Sequence, residues 1–235
     1  MRVVRVEPAV WDLAPEAAVG IVVARGADNT RAAEACAADL AAAMTAVAEG
    51  LWPEDVAAHP AIAPWRAVYA AFGVKPSKFR SSIEALLRSA RSGRLGSVNP
   101  LVDLYNAVSL AHALPVGGED LAAIEGDLVL GRANGDESFV LLGGSEPAPP
   151  APGEVIWRDD VGAVCRCWNW REAARTALSV DTRDAVLVVE GMPPDAGERV
   201  RAACDDLAAR VADRLGARCT VQVLVAGSAP ASLDA

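Results

Sequence analysis

Three groups of residues in this 235-residue chain combine side-chain types and spacings that can do chemistry. The first is Glu190, a lone carboxylate closing the apolar run Val186-Leu187-Val188-Val189. A carboxylate at the end of a strand can bind an ammonium or hydroxyl group, or hold a water; its structural use would be an ion pair with Arg171 or Arg175. The second is a cationic belt. From Arg66 to Arg94 there are seven bases (Arg66, Lys75, Lys78, Arg80, Arg88, Arg91, Arg94) and one acid, Glu84, leaving +6 here and −15 on the rest of a chain whose net charge is −9. Such a belt on an acidic protein suits one specific anion better than nucleic acid at large, so a DNA partner is not expected. The third is Arg166-Cys167-Trp168-Asn169-Trp170, read as strand, which would put Trp168 and Trp170 on one side as core or pocket wall.

Other chemistries lack their signatures. There is no phosphate-binding P-loop, no GxGxxG after a strand, no GxSxG and no HExxH. His112, in the helical run Ser109-Leu110-Ala111-His112, reads as packed or capping, and neither histidine has an evident Ser or Cys partner. The five cysteines form no CxxC pair and read as buried free thiols, so no metal or other cofactor is expected. The start of the chain lacks a signal-peptide core, and no apolar stretch approaches about 18 residues. A soluble, cytoplasmic protein without a membrane partner is the expectation.

Periodicity supplies the elements that must position these groups. Residues 19–25 read as a buried strand and 30–49 as a helix with Leu40, Met44 and Val47 on its apolar stripe. Pro53, Pro60 and Pro64 punctuate a connection. Trp65, Val68, Tyr69 and Phe72 mark a short amphipathic helix ending at Gly73. The next helix starts near Ser77 or Ser81, the latter in the capping-box pattern Ser81-x-x-Glu84. Arg80 and Arg88 fall within reach of Glu84 on that helix, while Lys75, Lys78, Arg91 and Arg94 carry charge that this acid does not account for. A helix over 101–113 is expected to stop at Pro115 and a Gly117-Gly118 turn. Strands are expected at 127–132, 138–143, 154–159, 161–168, 182–192 and 219–227. A helix on Val200, Cys204, Leu207, Val211 and Leu215 precedes the last of these. The pattern is α+β: one domain over 1–228, with a mixed sheet packed against helices and a disordered tail at 229–235.

The order Val98-Asn99-Pro100-Leu101-Val102-Asp103-Leu104-Tyr105-Asn106, Leu114-Pro115, Gly126-Asp127-Leu128-Val129-Leu130-Gly131-Arg132-Ala133, Gly135-Asp136-Glu137 and Pro152-Gly153-Glu154-Val155-Ile156 resembles the B3/B4 domain of the phenylalanyl-tRNA synthetase β subunit. It looks like a free-standing version of that domain, with similarity running over roughly residues 75–192. The resemblance implies an aminoacyl-ester cleft between helix and sheet layers that clears a wrong amino acid from tRNA. Its implied catalytic residues are Glu190, matching the acid that contacts the wrong side chain's hydroxyl, and Asn106, on the helix lining the pocket. Asn99, Pro115, Gly117 and Trp168 are the expected substrate-binding residues of that cleft, and the cationic belt of Lys75, Lys78, Arg80, Arg91 and Arg94 is expected to hold the phosphates of the tRNA acceptor end. Two departures stand out. Gly117 or Gly118 stands where the family turn carries His, and Arg166-Cys167-Trp168-Asn169-Trp170 stands where it has a Met-Gly-Gly wall. The resemblance therefore admits two functions, a trans-acting aminoacyl-tRNA deacylase or a non-catalytic module binding tRNA, a free amino acid or a similar metabolite. A protein-interaction surface built on the tryptophans is a third.

Overall fold

The computed structural model describes residues 1–50 and 55–234; Pro53, and residue 235 of the expected tail, lie outside them. In chain order the elements are β1 (Val3–Val6), α1 (Pro8–Leu13), β2 (Ala18–Arg25), α2 (Ala33–Glu49), a 3-10 turn (Val56–Ala58), α3 (Ala63–Ala71), α4 (Ser82–Arg91) and α5 (Pro100–His112). Then come β3 (Val116–Asp120), β4 (Leu128–Arg132), β5 (Val155–Arg158), β6 (Ala163–Arg166), β7 (Arg171–Glu172), β8 (Ala185–Gly191), α6 (Ala196–Leu215), β9 (Arg218–Leu224) and β10 (Ala231–Ser232). The fold is α+β in a single domain, built on two sheets ordered β3-β8-β2-β9 and β10-β1-β4-β5-β6-β7.

The four-stranded sheet is antiparallel throughout and apolar on both faces, because β2 and β8 carry apolar residues at successive positions. Val19, Ile21, Val23, Val186 and Val188 face one core, shared with α2, α3, α4 and the six-stranded sheet. Ala18, Val22, Leu187 and Val189 face the other, shared with α5 and α6. Close approach of α6 depends on Gly20, where a β-carbon would collide with Cys204 Sγ and lie 2.6 Å from Val200 Cγ1. The layers are therefore helices, sheet, a core holding the cavity described below, and the second sheet.

Helix α4 begins where expected: Ser81 Oγ accepts from Glu84 N at 3.4 Å. Helix α5 is capped by Asn99, whose Oδ1 accepts from Val102 N at 3.2 Å, and it ends at Ala113 in the left-handed region (φ 52°).

Several expectations are corrected. Gly117 and Gly118 form no turn; they lie in β3, paired with β8. Ala113 performs the reversal, and small residues let β3 settle where a β-carbon at Gly118 would meet Leu187 Cδ2 at 2.5 Å. Residues 138–143 make only isolated bridges from Ser138, Val140 and Leu141, and a left-handed Gly143 (φ 79°) breaks any ladder. Strand β6 stops at Arg166, so residues 167–170 form a turn in which Cys167 and Trp168 are left-handed (φ 47° and 65°). The two tryptophans thus do not alternate on a strand. The tail is ordered as far as residue 234. Ala231–Ser232 pair with β1, Leu233 is fully buried, and Gln222 brackets Ser232 with two hydrogen bonds. Ala231 and Leu233, both buried in the core, anchor that segment. Strand β1 and helix α1, short and without strong periodicity, went unread.

Candidate functional site

A cavity of about 350 Å³ opens between the two sheets, within the usual span of small-molecule sites, about 300 to 1,000 Å³. Gly117, Glu119, Val188 and Glu190 line it from β3 and β8, and Leu128, Trp157 and Cys165 from the facing sheet. Ser82, Ala85, Leu86 and Ser89, at helical spacing, bring one side of α4 to it, while Tyr105, Asn106 and Ser109 bring α5.

Glu190 is 3% exposed, and no arginine holds it, contrary to the structural use considered from sequence. Its Oε1 accepts from Trp157 Nε1 at 2.9 Å and its Oε2 from Asn169 Nδ2 at 2.7 Å. Asn169 is itself oriented by Tyr69, whose hydroxyl donates to Asn169 Oδ1 at 2.8 Å. Burial pushes the Glu190 carboxyl up to about 7, opposed by these donors. Arg175 donates instead to Asp159 Oδ1 at 2.7 Å and to Ala123 O, and Arg171 is exposed on β7.

The turn presenting Asn169 is clamped from β5. Glu154 accepts from Arg166 Nε and Nη2 (3.0 and 2.8 Å) and from Cys167 N (2.9 Å), while Trp168 N donates to Val155 O. These contacts offset the cost of two left-handed non-glycine residues, about 1–2 kcal/mol each. Trp168, 1% exposed and edge-on to Trp65 at 5.5 Å, forms part of the wall without filling the space. Its Nε1 lies toward Glu190 but makes no hydrogen bond of normal geometry.

Of the residues picked out from sequence, Glu190, Asn106, Gly117 and Trp168 meet in this cavity. Asn99 and Pro115 do not line it. Asn99 caps α5, accepts from Asn29 Nδ2 at 3.1 Å and donates to Leu178 O at 3.2 Å, so its polar atoms are committed to the fold. Pro115 is buried and its carbonyl accepts from Glu190 N at 3.0 Å, which sets the register that brings Glu190 to the wall.

Lys75, Lys78, Arg80, Arg91 and Arg94 are all exposed and none lines the cavity. Within α4, Arg88 and Arg91 leave the helix on the side away from its cavity stripe. The fully buried Glu84 gathers Arg66 (3.0 Å), Arg88 (3.1 Å) and Arg80 (3.7 Å), so the helix-face pairing expected from sequence is joined by Arg66 from α3. Arg94 donates to Ser92 Oγ and Lys78 lies over the Phe79 ring.

Sequence reading missed Glu119, Glu172, Trp157 and Tyr105. Reading Gly117-Gly118-Glu119-Asp120 as strand would have put Gly117 and Glu119 on one face and revealed the first of them. Among thiols, burial pushes Cys165 well above its ordinary range and raises Cys167, which opposes a thiolate nucleophile. His112 Nε2 lies 3.0 Å from Asp206 Oδ2 on α6, and neither histidine lines the cavity.

The family model of the B3/4 domain matches residues 64–212. The chain belongs to the B3/4 domain family. Every residue lining the cavity falls inside the B3/4 match. Two curated relatives are phenylalanine–tRNA ligase β subunits. That of Vibrio cholerae serotype O1 is 35% identical over 99 residues, 42% of this chain and 12% of the relative. That of Shewanella oneidensis is 39% identical over 69 residues, 29% of this chain and 9% of the relative. The matches thus span about a tenth of each relative's length. The B3/4 fold also resembles a crystal structure of an N-terminal fragment of the phenylalanyl-tRNA synthetase β subunit from Pyrococcus horikoshii. The TM-score is 0.51 at 13% identity, covering 92% of this chain and 50% of that one. Among the described residues, no helix is long and apolar enough to cross a membrane.

Proposed function

We propose that this B3/4 domain hydrolyses an aminoacyl ester on tRNA in trans. The observation that carries this reading is the cavity between the sheets with a buried, donor-held carboxylate, Glu190, on its wall in a domain related to tRNA ligase β subunits. The amino acid enters the cavity with its side chain toward Glu190. Asn106 on α5 orients the carbonyl or the attacking water. The water oxygen adds to the acyl carbon, the bond from acyl carbon to ribose oxygen breaks, and one water proton leaves with the ribose hydroxyl, releasing free amino acid and tRNA. Aminoacyl esters are reactive enough that orientation in a confined site supplies much of the acceleration.

Lys75 and Lys78 before α4, Arg91 at its last position and Arg94 just after it hold acceptor-stem phosphates. Arg80 contributes less, because part of its charge is spent on Glu84. Binding is then expected to weaken with salt by roughly 0.7 to 0.9 log units per log unit of salt for each phosphate engaged.

A second reading, that the domain binds an aminoacyl group or free amino acid without turnover, is favoured by one observation: no imidazole reaches the cavity. The deciding experiment follows loss of label from a panel of correctly and wrongly aminoacylated tRNAs at near-stoichiometric protein, with Glu190→Ala alongside. Clearance of one mischarged species above background, slowed by the substitution, supports the deacylase. Background decay of every ester overturns it in favour of the binding module.

A further inference from the structure

Glu190 is served by two donors, but a second acidic focus on the same cavity wall is not. Glu119 on β3 is 5% exposed, lines the cavity, and its Oε2 has no hydrogen-bond partner among the described residues. The nearby Thr176 hydroxyl, also buried, falls outside hydrogen-bonding geometry. Glu172 on β7 lines the cavity beside it; among the described residues its one donor is Gly118 N, at a long 3.4 Å.

The surroundings offset the charge of this pair only in part. Arg175 is engaged with Asp159 and Ala123 O. Arg171, on the exposed side of Glu172, is the one cation lining the cavity. Tyr105 and Cys165, the other titratable groups beside the two acids, carry no positive charge. Gly117 leaves the approach open: a β-carbon there would sit 3.0 Å from Glu172 Oε1. Two acids in a buried space, one with an oxygen offered to no donor, form a site lacking its hydrogen-bond donor and its positive charge.

We propose that Glu119 and Glu172 together receive an alkylammonium group of the ligand. The arrangement also sets a distance. Glu190 stands opposite Pro115 and Glu119 lies four residues further along β3, so the backbone positions of the two foci are roughly 13 Å apart, a gap that an extended side chain with a hydrogen bond at each end can span. A ligand of amino acid size can therefore place an ammonium at Glu119 and Glu172 while its other end faces Glu190. Burial holds both acids above their ordinary range, and the Glu172 charge pushes Glu119 further up, as expected of carboxyls awaiting a counter-charge. This assignment rests on the aminoacyl reading only for the natural source of the ammonium, which is the α-amino group of any amino acid or the side chain of a basic one.

The test uses four probes of similar length in calorimetric titration and thermal shift: L-lysinamide, with both ammoniums; L-norleucinamide, α only; 6-aminohexanamide, terminal only; and hexanamide, neither. The expected result is binding by ammonium-bearing probes and none by hexanamide. Norleucinamide outbinding 6-aminohexanamide assigns the site to the α-amino group, and the reverse order assigns it to a basic side chain. Glu119→Gln and Glu172→Gln should each weaken binding about tenfold. Arg171→Gln, at an exposed position unconstrained by core packing, should tighten it several-fold. Equal binding of hexanamide, no binding of any probe to folded protein, or affinity unchanged in both Gln variants overturns the proposal. No tRNA takes part, so failure of deacylation with ammonium binding intact removes only the hydrolytic reading.

Discussion

Trp157 and Glu190 join the two sheets by a single hydrogen bond, with indole Nε1 on β5 donating across the interior to carboxylate Oε1 on β8 at 2.9 Å. The bond forms part of the cavity wall and also crosses the central layer, so it ties the polar end of the site to the packing of the two sheets. Replacing Trp157 with Phe keeps most of the apolar contact and removes the donor. The expected cost is about 1.5 to 3 kcal/mol, the range for a hydrogen bond to a charged group, read as a lower denaturant midpoint with an unchanged slope.

The same carboxylate gives the protein an unusual pH dependence. Glu190 is held at about 7 when folded, against an ordinary 4.5. Between those values the native state binds more protons than the unfolded chain, so stability falls as pH rises from about 4.5 to 7, by roughly 1 kcal/mol per pH unit. Glu172, also raised to about 7, acts in the same direction. Glu154 and Asp206, held below their ordinary values, act oppositely and only under more acidic conditions, losing their contribution as they protonate. Thermal melts from pH 5 to 8 should show decreasing stability, and Glu190→Gln should flatten the trend.

Asn99 separates a cap from a ligand contact. Asn99→Ala removes the α5 cap and leaves the fully buried Asn29 amide short of a partner, at a combined cost of roughly 2 kcal/mol. Ligand affinity, measured on protein still folded, should be unchanged. Weakened binding without lost stability would return Asn99 to the site.

Glu84 moderates the cationic belt. Glu84→Gln leaves Arg66, Arg80 and Arg88 without their shared anion, and a loss of about 2 kcal/mol is expected because all three arginines keep partial access to water. If the belt meets phosphate, the same change should strengthen tRNA binding at low salt and steepen its salt dependence. Filter binding across a salt series measures both.

Gly20 and Gly117 make a contrasting pair. Gly20→Ala drives a methyl into Cys204 and Val200 between β2 and α6, an overpacking expected to cost about 1–3 kcal/mol. Gly117→Ala places a methyl in the cavity against Glu172, so it should leave the melting temperature nearly unchanged and weaken ligand binding.

The long elements were legible because their periodicity is dictated by two-faced burial. The Val-rich β2 and β8, the stripe of α6 from Val200 to Leu215 and the Ser81 cap all follow from local sequence. What escaped was set by tertiary contacts. Cys167 and Trp168 look like strand but turn, because Glu154, thirteen residues before Cys167, binds its amide. Gly117-Gly118 looks like a turn but lies in a strand, because β8 offers a ladder. That single misreading hid Glu119, since only a strand places it beside Gly117. Glu190 was found because it ends a strong strand; its true partners, Trp157 and Asn169, lie 33 and 21 residues away and leave no local trace.

The pairing of β10 with β1 has a topological consequence. Arg2 O accepts from Leu233 N at 3.0 Å and Arg2 N donates to Asp234, so the first and last described residues leave the domain side by side. A short peptide could join them into a ring that is reopened in the exposed loop near Gly143-Gly144 without disturbing a single ladder. The same geometry puts entry and exit of the unit at one point, which is the arrangement that tolerates insertion into another chain.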